Sequence, residues 1–342
     1  MMSTTRILID VPLEPAIGGR FQPTGFPDLG AAEFDRPDGA GGWVKSMLVE
    51  STQSMANRLE GMAWDDGAMV PVSVFTGLPY VSVVADGDGR YLTASRTESH
   101  RLASAFIKDS QLAGTSMVDE IKNRLGLRDD TPIPARAIAA AVFALDPFCL
   151  VHGVFFADSK WPGQPKIARA LTAFVEATDV RRADSGGVKR DSVRHGIKEG
   201  VGGTAEGYGS VPFHRTEWTA SDIVASFSVD RRQIRAYGLG DAASALLERI
   251  ALWEIRALLE DGLRLRTACD LVPKGDVITD KSGTSLPTLA ELESAITAGI
   301  AACKEQLGAG GPLEVRWQDG GKKDKKGKKT KDDESGDEDG SS

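Results

Sequence analysis

The chain has 342 residues, 41% of them hydrophobic, and a formal net charge of −8. That composition suits a globular protein of one elaborated domain or two, and the negative balance argues against a uniformly basic nucleic-acid binder. No run of about 18 apolar residues occurs, which excludes a membrane-spanning helix. Three distant cysteines, Cys149, Cys269 and Cys303, exclude a disulfide framework and fit a reducing compartment.

The opening MMSTTRILIDVPLEP lacks the long apolar stretch of a secretory signal, so the expected location is cytoplasmic. It reads as a first strand, RILIDV (6–11), ended by Pro12. A Gly- and Pro-rich loop is expected over 12–42, and loops of that length are often functional. Residues 43–61 read as an amphipathic helix, with Val44, Met47, Leu48, Ser51, Met55, Leu59 and Met62 at helical spacing. Its opposite stripe is Glu50, Gln53, Ser54, Asn57 and Arg58. That stripe is short of ordinary Glu/Lys filler, and is either solvent face or partner contact.

Two apolar runs around Gly77–Pro79 predict a hairpin over 72–84. A helix over 115–126 has Ser116 and Asp119 placed to cap it, and Pro134 opens another over 134–145. Residues 148–157 read as an apolar strand. Residues 166–180 read as a strand with Leu171, Ala173 and Val175 on one face. Further on, 223–229 is a strand, 241–261 a long buried helix, 263–269 a strand, 285–306 a helix and 313–317 a last strand. This mixture without regular βαβ alternation predicts an α+β fold, with a ferredoxin-like split βαβ core carrying large insertions. From 318 onward a lysine block and then an acidic block leave nothing to bury, and the tail is expected to be disordered.

Enzymatic chemistry finds little footing. His100, His152, His195 and His214 share no ligand spacing with each other or with the cysteines, which predicts no metal site. No G-x-S-x-G occurs, and the glycine clusters at 200–203 and 207–209 do not match a phosphate loop. Asp28 and Asp35, in the expected first loop, leave one alternative: a nuclease whose loop acids hold a divalent metal.

The segment 181–217 stands out. Between Arg181 and Lys198 there are six cations (Arg181, Arg182, Lys189, Arg190, Arg194 and Lys198) against two acids. Glycines are frequent, and Tyr208, Phe213 and Trp218 are interleaved. Arginine pairs with phosphate in a fork, and aromatic rings stack on bases. Just upstream, Lys160, Lys166 and Arg169 flank Trp161. The alternative is a solvated surface hairpin.

Three stretches, ILIDVPLEPAIGGRFQPTGFPDLG (7–30), LVESTQSMANRLE (48–60) and GYGSVPFHRTEWTA (207–220), together resemble a CRISPR-associated family. It is the RAMP-superfamily backbone subunit of the type I-G effector complex, formerly type I-U. The resemblance runs over most of residues 5–272. It implies one domain over 1–317, an RRM-like palm with large inserted finger and thumb elements. The insertions would be the loop 12–42, a helical insertion at about 86–133 and a thumb at 181–217, with 318–342 a tail.

It also implies a non-catalytic protein without cofactor. Copies of it would line up along a guide crRNA in a helical filament, beside other effector subunits, for antiviral defence. The guide would pair with target DNA, and a separate helicase-nuclease would destroy that target. By the same resemblance the RNA contacts would be Arg20, Gln22, Gln53, Ser54, Asn57, Arg58, Lys160, Lys166, Arg169, Arg181, Arg182, Lys189, Arg190, Arg194, His195 and Arg215. Phe213 or Tyr208 would wedge against a base.

Overall fold

The alternation that marks the first strand runs past Pro12. In the computed structural model, which describes residues 5–26, 30–189, 211–275, 280–281 and 285–318, strand β1 spans Arg6–Pro15. Ile9, Val11 and Leu13 are buried on one face and Leu8 is exposed on the other. A proline removes one donor but no acceptor. The Pro12 carbonyl is used, accepting from the Lys274 N–H at 2.8 Å.

The stretch 12–42 is not a single loop. It contains β2 (Gly30–Pro37), which pairs antiparallel with β3 (Trp43–Glu50). The helix expected over 43–61 is thereby halved, and α1 is Thr52–Met62. Short apolar runs satisfy either period. Here the burial of both Met47 and Val49 within a sheet settles the first half as strand. Ser51 marks the change, its hydroxyl accepting from the Ser54 N–H at 3.3 Å as an N-cap.

Strand β4 (Tyr80–Ala85) pairs with β5 (Tyr91–Ala94), so the hairpin turn lies between those strands and not at Gly77–Pro79. Helix α2 (Met117–Arg124) carries the expected Ser116 cap, and α3 (Ala135–Leu145) follows Pro134. The apolar run from 148 is a strand only at its end: α4 covers Phe148–His152, and Val154–Phe155 is extended. Asp146 Oδ1 accepts from the Phe148 N–H at 3.1 Å and starts that turn. The expected helical insertion at 86–133 is mixed, because β5 and a short strand at Ser110–Leu112 fall inside it.

The later elements keep the expected order. They are β6 (Leu171–Thr178), β7 (Arg181–Lys189), β8 (Val211–Thr219), β9 (Asp222–Asp230), α5 (Asp241–Asp261), β10 (Leu263–Arg266), β11 (Cys269–Pro273), α6 (Leu289–Ala302) and β12 (Pro312–Trp317). The main sheet runs β10–β11–β1–β9–β6–β3–β2, with the two-residue strand Gly25–Phe26 at its edge. Its central pairs, β11–β1, β1–β9 and β9–β6, are all antiparallel. Helices α1 and α5 pack on this sheet and on each other, giving a mixed α+β architecture. A second sheet sets β12 parallel to β4. No helix among the described residues is long and apolar enough to cross a membrane.

Buried ion pairs join segments far apart in sequence. Arg96 Nε lies 2.7 Å from Asp146 Oδ1, and Ser95 Oγ donates to Asp146 Oδ2 at 2.5 Å. Arg101 forks both Glu60 oxygens at 2.6 Å and donates to the Gly153 carbonyl at 3.1 Å. Buried charge persists only when paired in this way.

His152 Nε2 sits 2.9 Å from both Glu254 oxygens, with both side chains fully buried. Burial pushes the Glu254 carboxyl up. At His152 burial opposes the imidazolium, but the facing Glu254 outweighs it and raises the pKa above the ordinary 6.5. The folded pair therefore keeps a proton that the unfolded chain gives up. Its stabilisation is complete below pH 6.5 and is lost as pH rises through the folded-state value. Urea unfolding between pH 6 and 9 should show stability falling with pH, and His152→Gln should flatten that slope. An unchanged slope in the variant would show that the pair does not carry it.

Candidate nucleic-acid interface

Strands β7 and β8 form a two-stranded ribbon that prolongs the hairpin of β6 and β9. The register is unshifted across the join, from Thr178 opposite Asp222 to Arg181 opposite Thr219. Asp179 at the join takes a left-handed φ of 52°, and its carboxylate accepts from Ser221 Oγ at 2.7 Å. Cross-strand partners share a face. One face therefore carries Arg181, Ser185, Lys189, Phe213, Arg215 and Glu217, and the other carries Arg182, Asp184, His214 and Thr216.

The two faces differ in chemistry. On the second, Arg182 Nε is tied to Asp184 Oδ1 at 2.9 Å, and His214 Nε2 lies 3.6 Å from the same oxygen. The Arg182 hydrogen bond holds the Asp184 carboxyl below its ordinary value. On the first, Phe213 is 47% exposed, lies against Gly187, and has the Arg215 guanidinium 5.5 Å from its ring centre. Arg181 and Lys189 are exposed on the same face. This is the cation-plus-aromatic combination that suits a single-stranded backbone and its bases.

A backbone clasp fixes the ribbon's base. Phe21 and Trp218 exchange N–H to carbonyl bonds of 2.9 and 2.8 Å, and both rings are buried. The clasp brings Arg20 to the ribbon, where its Nη1 lies 3.2 Å from Glu217 Oε2. Glu217 also faces Arg215 at 3.6 Å and accepts from Ser185 Oγ at 2.9 Å. Sequence reading gave this buried carboxylate no role, because only strand pairing reveals its three neighbours.

Gln22 leads to a second joint. Its carbonyl accepts from Arg266 Nη1 at 2.6 Å. Arg266 Nη2 meets Glu50 Oε2 at 2.6 Å, and Arg58 Nη2 approaches the same oxygen at 3.5 Å. Arg58 also donates to the Arg264 and Leu265 carbonyls, so its guanidinium is occupied inside the protein. Glu50 belongs to the end of β3 and is buried, not part of the exposed stripe. Gln53 and Asn57 stay exposed on α1, and Ser54 is half-buried with its N–H committed to the cap.

Arg169 Nη1 donates to the Thr52 carbonyl at 3.2 Å, which brings the upstream cations beside α1. Burial lowers the Arg169 pKa from the ordinary arginine value. Lys160 and Lys166 are exposed. Asp35 lies on β2 opposite Lys45 and not in a loop. Asp28, Arg190, Arg194, His195, Tyr208 and the tail beyond Gln318 lie outside the described residues. Among the described residues no three His, Cys, Asp or Glu side chains gather as metal ligands would. The Cys149 thiol is buried on α4, and burial pushes its pKa well up.

Residues 7–182 match the family model described as CRISPR-associated protein GSU0053. A chain of the CRISPR RNA-guided surveillance complex, pre-nicking, is similar at 12% identity. That match covers 79% of this chain and 74% of the other, with a TM-score of 0.39. Csc2 of Thermofilum pendens is similar at 11% identity, covering 89% of this chain and 76% of that one, with a TM-score of 0.31. Comparison with curated proteins gave no match.

The ribbon's closure rests on Gly186, where an added Cβ would stand 2.6 Å from the Phe213 carbonyl oxygen. Gly186→Ala should part the two strands while leaving the core intact. Limited trypsin digestion should then cut between 181 and 219 several-fold faster, with the unfolding midpoint unchanged. Equal cutting rates would show that the close approach is not needed.

Proposed function

Because the chain belongs to the family of CRISPR-associated protein GSU0053, we propose that it is a non-catalytic backbone subunit of a CRISPR effector complex that grips guide RNA. The observation that carries this reading is the ribbon. Arg181, Lys189, Arg215 and the exposed Phe213 share one face of a rigid hairpin rooted in the two central strands of the sheet. Such a face holds phosphates by charge and bases by stacking, and it needs neither a metal nor a cofactor.

The sheet supports the same reading. The order β11–β1–β9–β6, with α1 between β1 and β6 and α5 between β9 and β11, is that of an RRM-like split βαβ palm. In that frame β7–β8 is the thumb and the second sheet belongs to the fingers. Within the RAMP superfamily we assign the chain to type I-G, with copies stacked along the crRNA in a helical filament. Base pairing with target DNA then reads sequence, and the protein reads only the backbone. Other effector subunits and a helicase-nuclease complete the defence. A net charge of −8 is compatible with this, because local charge and not total charge draws the RNA.

The purified protein should carry RNA of one discrete length, seen on a denaturing gel. Replacing Arg181, Lys189 and Arg215 together by Ala should strip that RNA and lower the 260/280 nm absorbance ratio. The slope of log affinity against log salt should fall by about 2, at roughly 0.7 per lost phosphate contact. RNA retained by the triple variant at wild-type levels would overturn the thumb assignment.

A further inference from the structure

Sequence reading buried Phe155 in an apolar strand, but the structure turns it outward. Val154 and Phe155 pair with Ile167 and Lys166 in a two-residue antiparallel ladder. Val154 is buried, while Phe155 is 47% exposed. Phe155 and Lys166 are direct cross-strand partners and share a face, and the Lys166 ammonium lies 5.5 Å from the ring centre. Ring and ammonium are both open to solvent, a pairing that can receive a base and its phosphate.

The placement of this ladder gives it meaning. Gly153 has a φ of 83°, and an added Cβ there would meet the Ile167 carbonyl oxygen at 2.8 Å, so only glycine lets the two strands lie this close. The Gly153 carbonyl takes a hydrogen bond from Arg101, which forks Glu60 on α1. At the same end of the ladder Arg169 donates to the Thr52 carbonyl, where α1 begins. Two guanidiniums thus tie that end of the ladder to α1.

The charge balance favours an anion. Lys160 and Lys166 are free toward solvent. The neighbouring acid Asp158 is neutralised by Lys108 at 3.1 Å, and Glu60 is engaged by Arg101. We infer that Phe155, with Lys166 beside it, is a second stacking platform for single-stranded nucleic acid, separate from the ribbon. There the ring takes one base and Lys166 takes a flanking phosphate. This rests on the RNA-binding reading and adds to it a specific contact on a different part of the chain.

The test uses the full-length protein and a fluorescein-labelled single-stranded RNA, followed by anisotropy. Phe155→Ala should weaken binding by roughly 5- to 100-fold, the range that loss of one stacked base gives. Phe155→Trp should restore it. Lys166→Gln should reduce the salt slope by about 0.7. RNA carrying 4-thiouridine should crosslink under long-wave light to a peptide containing Phe155, and the crosslink should vanish in Phe155→Ala. If wild type binds and the ribbon variant fails, yet Phe155→Ala binds like wild type without losing a crosslink, the platform is refuted and the ribbon stands. If wild type itself binds no RNA, both readings fall. Phe155→Ala that loses binding with Phe155→Trp equally weak would mark a protein-packing role and would also overturn the platform.

Discussion

A buried carboxylate with two guanidiniums on it governs how this molecule presents itself. Glu50 ends β3 one residue before the cap of α1, and its side chain is only 2% exposed. An isolated charge there would be ruinous, since desolvating a carboxylate costs several kcal/mol even after relaxation. Arg266, 2.6 Å away, and Arg58, 3.5 Å away, answer it. Each guanidinium also donates to backbone carbonyls, Arg266 at Gln22 and Val49 and Arg58 at Arg264 and Leu265. One ionic knot therefore ties together the segment after β1, the strand-to-helix corner and strand β10. The clasp of Phe21 and Trp218 lies next to that segment, so the ribbon's root inherits the rigidity of the knot.

The arrangement lets an acidic protein present local cationic patches. Acids among the cations are mostly neutralised in place: Asp184 by Arg182, Glu217 by Arg20 and Arg215, Asp158 by Lys108. What is left facing water at these places is cation and aromatic ring. Electrostatic steering acts over about 8 Å at physiological salt. Acid elsewhere on the surface therefore does not cancel a local patch.

The long periodic elements were legible in the sequence. Leu171, Ala173 and Val175 marked β6, and α5 was plain from its length and apolarity. The mixture of strands and helices was legible as an α+β fold. The errors share one cause. At 47–49 and at 148–151 the apolar residues are buried or half-buried in succession, and such runs carry no period to read. The first became strand because it sits between two other strands, the second helix because Asp146 caps it. Site residues divided the same way. Arg181, Lys189 and Arg215 were visible as charge, but which of them share a face depends on strand parity. Arg58 looked like solvent-facing stripe until the carbonyls of a hairpin some two hundred residues away occupied it. Glu217 and Phe155 were missed because their character comes from cross-strand partners.

The unshifted register between the β6–β9 hairpin and the ribbon restricts how relatives of this chain can vary in length. Because neighbours on a strand alternate sides, inserting one residue into either arm would turn every side chain beyond it to the opposite face. Arg215 and Phe213 would then lie with Asp184's side of the ribbon, and Arg182 would cross over. Growth or shrinkage of the arms is therefore compatible with the same chemistry only when both strands change together and by even numbers. Length variation across the family would then be quantised along the arms.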